Sequence, residues 1–247
     1  MATPSSRKTA EFYNDLMKGD KERGILGKDT RYNSSLLIEK SSVQKYFKNV
    51  ISEYLTLEDK VLDFGCGPGT FTTLAAQFCK DITGVDISQE FVSQSNRNFE
   101  QFNVPNAKSI KVAPDTLPFD SNVFDVLLLV DVIHHFEDID TTLSEAFRVL
   151  KPGGKILIFE PNKLNPLIWL VHYVDENERG LLKLGTPWSY RKVLSHRMNF
   201  KNIDFNGIVI GPQSRIFDLF SIILNASFLK PVIGWLNPKI FMVGNKI

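Results

Sequence analysis

The sequence predicts an α/β protein built on a mostly parallel sheet, with helices on both faces. Three observations carry this. Short strand segments alternate with helical ones between residues 60 and 161. Several of those strands are apolar without alternation, as strands covered on both faces are. A glycine-rich stretch, VLDFGCGPGT at 61–70, joins the first strand to the first helix of the alternating run.

The elements follow in order. Residues 1–9 are polar; EFYNDLMKGD (11–20) is predicted as a short helix and 18–35 as loop. In SSVQKYFKNVISEYL (41–55), Val43, Tyr46, Phe47, Val50, Ile51 and Leu55 recur at helical spacing behind Ser41 or Ser42 as a cap. KVLDF (60–64), DITGVDI (81–87), AKSIKVA (107–113), VFDVLLLVDV (123–132) and KILIFEP (155–161) are predicted strands. Between them lie helices at 70–78, at 88–102 with Ser88 as N-cap, and at 138–150, the last stopped by Pro152 and Gly153. Beyond Pro161 the rhythm changes. Residues 161–187 read as an irregular apolar insertion, 187–198 as a helix, 202–210 as a strand, 214–229 as an apolar helix and 239–247 as the last strand. Residues 1–247 are expected to form a single domain, with 1–55 as an N-terminal helical or lid segment and 161–187 and 211–238 as substrate-side insertions.

Composition narrows the function. The 247 residues are 43% hydrophobic and 23% charged, which suits a globular chain, and the net charge of +1 gives no field that would draw nucleic acid. Cys66 and Cys79 form neither a metal motif nor a disulfide framework, and read as free thiols of a reducing compartment. The N-terminal residues have no apolar signal core, and no run reaches the ~18 apolar residues of a spanning helix. The expected location is cytoplasmic, with peripheral membrane contact as a variant.

The glycine stretch carries the chemistry. Ligands of open α/β sheets bind beyond the carboxyl ends of the strands, where strand order reverses. Gly65, Gly67 and Gly69 allow positive φ and let backbone approach a ligand. A dinucleotide would want G-x-G-x-x-G, and the spacing here is one residue short. Asp63 at the strand end would repel a pyrophosphate but favour a ligand bearing ammonium and sulfonium groups.

VLDFGCGPGT resembles the first motif of the class I S-adenosylmethionine-dependent methyltransferases. GVDIS (84–88), LPFDSNVFDVLLLVDVIHHFED (117–138) and RVLKPGGKILIFEPN (148–162) are similar to the family's later motifs, in the same order and at matching spacing. The resemblance covers about residues 55–162. It implies a doubly wound, Rossmann-like sheet of seven strands with an antiparallel last strand. It also implies S-adenosylmethionine as cofactor and S-adenosylhomocysteine as product.

Residue by residue, it implies that Asp86 takes the ribose hydroxyls and that Asp63 faces the methionyl ammonium. Gly65, Cys66, Gly67 and Gly69 would form the cradle. Ile87 and Leu117 would wall the base, Ala113 and Pro114 would meet it through backbone, and Val130 would lie near the cofactor. Relatives often carry an adenine-binding acid where this sequence has Ala113, so that bond is not expected here. His134 and His135 follow strand four and are the candidate catalytic pair. The similar ubiquinone-pathway O-methyltransferases have a histidine where His135 falls, so His135 is the expected base. Asp131 with the two histidines does not complete a metal-ligand set. Methyl transfer to a small-molecule or lipid-like acceptor follows, with oxygen as the expected atom and nitrogen or carbon as alternatives. A non-catalytic cofactor-binding protein on the same fold is the other class of answer. The apolar C-terminal segment is expected to pack as core, to form a homodimer or to touch a membrane, and the loop at 18–33 to close over the site.

Overall fold

The computed structural model describes residues 10–11, 14–15, 38, 41–113, 115–174, 181–206, 219, 223 and 230–247. Its centre is one sheet of seven strands. They are β1 (Lys60–Phe64), β2 (Asp81–Asp86), β3 (Ala107–Lys111), β4 (Phe124–Val130), β5 (Leu150–Pro161), β6 (Met198–Asn206) and β7 (Lys239–Lys246). Their order is β3-β2-β1-β4-β5-β7-β6. The first five run parallel; β7 is antiparallel to both β5 and β6. The doubly wound sheet with an antiparallel end is therefore as expected.

The helices are α1 (Ser41–Ser52), α2 (Thr70–Ala75), α3 (Gln89–Gln101), α4 (Ile139–Val149), α5 (Pro166–Val174), α6 (Leu181–Leu184), α7 (Pro187–Leu194) and α8 (Lys230–Ile233). They cover two apolar faces. On one, Leu62, Leu127, Leu129, Ile156 and Ile158 pack with Leu143 and Phe147 of α4 and Leu194 of α7. On the other, Val61, Val126, Leu128 and Leu157 pack with Phe47 and Ile51 of α1 and Leu74 of α2. Alternate residues of β1, β4 and β5 thus serve opposite layers, which is why these strands have no polar face. Each fully buried leucine contributes roughly 1.5–3 kcal/mol relative to exposure.

Local signals set several boundaries. The Ser88 hydroxyl accepts from the Phe91 N–H at 3.2 Å and starts α3. Asp138 does the same for α4 through the Thr141 N–H, and Thr186 opens α7 in a capping box with Ser189.

Several boundaries differ from the sequence reading. The helix α1 begins at Ser41, so Ser41 and Ser42 lie inside it rather than before it. The helix α4 is not stopped by Pro152 and Gly153. It ends at Val149, because Leu150 is already extended and pairs with Phe124 as the first residue of β5. The register then shifts to Val126↔Lys155, so the Pro-Gly-Gly run is an irregularity inside the strand, with Gly153 at φ 69°. The helix α7 ends at Leu194, not at residue 198. Met198 instead opens β6 opposite Lys246 and is buried in the core. The fourth strand ends at Val130, because Asp131 takes φ 52° and turns the chain. The predicted helix over 214–229 and the predicted loop at 18–33 lie outside the described residues, apart from Leu219 and Ile223, which are helical and exposed. So does the end of the predicted strand at 207–210.

Candidate functional site

Strand order reverses between β1 and β4, since β2 and β3 extend from one side of this pair and β5 from the other. The loops after β1 and β4 meet at that point. A Cβ on Gly65 would stand 2.2 Å from a Val132 methyl group. One on Gly69 would strike the Ser95 hydroxyl at 2.4 Å, while one on Gly67 would meet nothing within 4 Å. All three glycines have positive φ. Gly65 and Gly69 are therefore fixed by packing as well as by backbone, whereas Gly67 borders open space.

The glycine loop is tied to the end of β2. The amides of Gly65 and Cys66 donate to the Val85 carbonyl at 2.8 and 3.1 Å. One Asp86 carboxylate oxygen accepts the Gly67 N–H at 2.9 Å, and the other accepts the Ser88 N–H at 2.8 Å. Burial pushes the Asp86 carboxyl up to about 6, against the opposing pull of these backbone amides.

Asp63 is buried at the end of β1. Its Oδ2 accepts the Thr72 hydroxyl at 2.5 Å. Its Oδ1 is buried and meets no hydrogen-bond donor among the described residues. Burial, with Asp86 as a like-charged neighbour, pushes this carboxyl up to about 7 despite the Thr72 bond. An acid left with an open acceptor beside a second acid suits a cationic donor group. S-adenosylmethionine, through its ammonium, fits; a pyrophosphate does not.

The remaining expected cofactor residues separate into two groups. Ile87 is half-buried beside Asp86, Val130 closes β4, and Ala113 is exposed, bridging to Thr116 in the loop after β3. Leu117 packs into the core layer with Phe64 and Val85, and its N–H donates to Glu145 at 3.1 Å. Cys66 turns behind the loop, its sulfur 3.5 Å from the Ser109 hydroxyl. Burial, with Asp86 and Asp63 near, pushes this thiol well above its ordinary value, so it is a neutral packing group. Both cysteines are free and buried. Pro114 lies outside the described residues.

After Asp131, which pairs with Lys239 of β7, the chain makes a 3-10 turn over Ile133–His135. The histidine pair thus lies on a turn and not at the end of an extended strand. His134 is buried and His135 half-buried. Their rings lie 4.0 Å apart, and His172 of α5 meets His134 edge-on at 5.6 Å.

Glu160, at the end of β5 and fully buried, organises this turn. Its Oε1 accepts the Val132 and Ile133 amides at 2.9 and 2.8 Å. Its Oε2 lies 2.6 Å from His134 Nδ1 and accepts the Tyr190 hydroxyl at 3.0 Å. Burial opposes ionisation, but His134 and the two amides hold the carboxyl below its usual range. Burial and the neighbouring Glu160 raise the Tyr190 phenol well above its ordinary value, so it stays a neutral donor. Sequence reasoning missed Glu160, Tyr190 and Thr72. Glu160 had a readable signal, a single acid closing the apolar run KILIF; the other two had none.

Residues 62–158 match the family model described as Methyltransferase domain. This stretch is similar to methyltransferase domains. The chain is similar to the sterol 4-C-methyltransferase strm-1 of Caenorhabditis elegans, 32% identical over 47% of this chain and 35% of that protein. It is also similar to the demethylmenaquinone methyltransferase of Symbiobacterium thermophilum, 36% identical over 42% of this chain and 43% of that one. The chain thus spans less than half the length of these curated relatives.

Among solved structures, a SAM-dependent methyltransferase from Aquifex aeolicus superposes with a TM-score of 0.61 at 15% identity, covering 87% of this chain and 97% of that one. The geranyl diphosphate C-methyltransferase of Streptomyces coelicolor A3(2), in complex with Mg2+, geranyl diphosphate and S-adenosylhomocysteine, gives 0.65 at 16% identity, over 100% and 99%. The chain therefore has the fold of these SAM-dependent methyltransferases. Among the described residues, no group of three or more His, Cys, Asp or Glu side chains is arranged to hold a metal ion.

Proposed function

We propose that the protein transfers a methyl group from S-adenosylmethionine to an apolar small-molecule or lipid-like acceptor, with oxygen as the first choice of atom. The observation that carries the cofactor half is the buried Asp63 Oδ1, which meets no donor among the described residues and has Asp86 as a like-charged neighbour. When bound, the cofactor supplies an electrophilic methyl group on a cationic sulfur.

The chain's own residues supply the rest. Asp63 takes the ammonium, and Asp86 takes the ribose hydroxyls while bracing Gly67. The backbone of Gly67 offers the close approach. The turn after β4 closes the crevice and carries the histidines that can receive a proton. Such alignment supplies on the order of 7–11 kcal/mol, and a positioned base roughly 10²–10⁴ in rate.

The acceptor side is apolar. Leu167, Trp169, Leu170, Tyr173 and Val174 of α5 are exposed, as are Trp188, Val232 and Trp235. Trp169 and Tyr173 stack at 5.2 Å. The same helix brings His172 to the histidine turn, so an acceptor lying on α5 would reach the crevice. This face also suits peripheral membrane contact or a second copy of the chain. No helix among the described residues is long and apolar enough to cross a membrane.

A second reading, transfer to carbon, draws on the names of the sterol and geranyl diphosphate relatives. Calorimetry with S-adenosylmethionine, then turnover with hydroxylated and unsaturated isoprenoid, sterol and quinol acceptors, tests both. Methylated product located by mass fragmentation decides the atom. No turnover with tight cofactor binding would leave a non-catalytic binding protein.

A further inference from the structure

We propose that Thr72 is a positioning residue for cofactor recognition: it holds one oxygen of Asp63, so that the other is left as a single anionic acceptor for the ligand's ammonium. This deepens the proposed function and rests on it. Asp63 is buried at the end of β1, and Thr72, on the first turn of α2, is fully buried. The Thr72 hydroxyl donates to Asp63 Oδ2 at 2.5 Å, within the roughly 2.5–2.7 Å of a hydroxyl bonded to an ionised carboxylate. Asp63 Oδ1 is buried as well and meets no donor among the described residues. The two oxygens of one carboxylate are thus unlike. The protein satisfies one, and the other is left for a ligand.

The role belongs to Thr72 and not to its neighbours. The helix α2 opens as Thr70-Phe71-Thr72-Thr73. Thr73 turns its hydroxyl back to the Gly69 carbonyl at 2.8 Å, within the helix's own first turn. Thr72 turns to the strand end instead. Its place is fixed from two sides. Leu74 and Ala75 sink into the core layer, and the Asn98 side chain of α3 holds the Pro68 carbonyl at 2.7 Å just before the helix.

Donation from Thr72 does two things. It favours the charged carboxylate, against burial and the neighbouring Asp86. It also fixes the carboxyl's orientation, so Oδ1 keeps one direction. The titratable neighbours with which Asp63 interacts are Asp86 of β2 and the Cys66 thiol of the loop, which burial keeps neutral. Neither brings a positive charge, so the carboxylate selects a ligand that does.

Calorimetry on the full chain between pH 6 and 9 tests this with two probes. S-adenosylhomocysteine carries the ammonium. Methylthioadenosine keeps the adenosine but lacks the amino-acid part, so it reports on Asp86 and the glycine loop and not on Asp63. Thr72→Val keeps the shape and removes the donor. It should weaken S-adenosylhomocysteine about fivefold or more at pH 7 but less than about twofold at pH 9, as the midpoint of the affinity curve rises by about one pH unit. Its affinity for methylthioadenosine should stay within about twofold of wild type throughout. Thr72→Ser keeps the hydroxyl and should follow the wild-type curve with both probes. A further readout needs no Thr72 variant. In the unliganded wild type, the Thr72 hydroxyl proton should exchange slowly at pH 8, and its NMR signal should move as Asp63 titrates near pH 7.

A wild-type curve for Thr72→Val with S-adenosylhomocysteine overturns the proposal. So does an equal loss of both probes at every pH, or a loss in Thr72→Ser as large as in Thr72→Val, since either means that Thr72 only packs. A Thr72 hydroxyl signal indifferent to pH overturns it too. If the wild type binds neither probe, the proposed function fails and this inference with it. If the wild type binds S-adenosylhomocysteine and only the Thr72 variants depart from expectation, the function stands and this inference alone falls.

Discussion

In the proposed function, Asp63 ties cofactor binding to pH. Its carboxyl is pushed up to about 7 by burial, so in the free protein it takes up a proton as pH falls through neutrality. A cationic ligand prefers the ionised form. Cofactor affinity should therefore rise about tenfold between pH 6 and 8, and calorimetry should find that slope largely gone in Asp63→Asn. The stability sign is the reverse. Because the folded-state value lies above the unfolded one, this carboxyl's contribution is fully present below about pH 4 and is lost as pH rises through about 7. Asp63→Asn, whose amide oxygen can keep the Thr72 bond, should melt several degrees above wild type near pH 8, with the gap closing in acid. The glycines give a paired contrast. Gly65→Ala drives a Cβ into Val132 and should lower the melting temperature by several degrees. Gly67→Val faces open space at φ 53°, so it should lose cofactor binding yet keep a cooperative melt, lowered by the roughly 1–3 kcal/mol of its backbone strain. Normal cofactor binding by Gly67→Val would remove the loop from the site.

At the scale of elements, caps and turns decide where side chains arrive. Ser88 begins α3 by accepting the Phe91 N–H, while its own N–H holds Asp86. Ser88→Ala removes the first bond, along with the hydroxyl's donation to Asn14, and keeps the second. It should cost about 1 kcal/mol of stability by denaturant melt and leave cofactor affinity within a factor of two. A larger loss of affinity would mean that the cap itself positions Asp86. The turn after β4 works differently. Asp131 at positive φ ends the strand, and Glu160 from β5 then fixes the next residues through backbone. Consecutive residues of a strand point to opposite sides, but on this 3-10 turn the rings of His134 and His135 lie against each other, tilted by 41°.

At the scale of the whole molecule, the two ends of the sheet do different work. The β1–β2–β3 side carries the acids and the glycine loop; the β5–β7–β6 side carries the apolar additions. The latter are tied together: the Asn162 amide donates to the carbonyls of Trp235 and Asn237, and Asn165 donates to that of Leu236. Both loops thereby present their apolar side chains from one rigid base. Trp169 and Tyr173 are 44% and 47% exposed, so replacing both by serine should shift the melting temperature little. The double variant should raise the KM for an apolar acceptor at least fivefold with kcat and cofactor affinity nearly unchanged. An unaltered KM would separate this face from acceptor binding and leave a membrane or a second copy as its occupant, which vesicle flotation and sedimentation would tell apart.

The sequence by itself determined the layered architecture, because unbroken apolar strands between helices can be stable only inside a two-faced sheet. It also determined the proposed cofactor end of the site. Gly65, Gly67, Gly69, Asp63 and Asp86 are local to two strand ends, and local spacing is what a sequence displays. It did not display the irregularity in β5. There Pro152 and Gly153 look like a helix stop, but pairing with β4 holds them in a strand. Nor did it display the contacts of Glu160. Glu160, His134 and Tyr190 come from three separate elements, and only closure of the sheet and docking of α7 bring them within hydrogen-bond range. A buried charge is tolerable only with partners, and those partners are set by tertiary contacts between residues far apart in the chain.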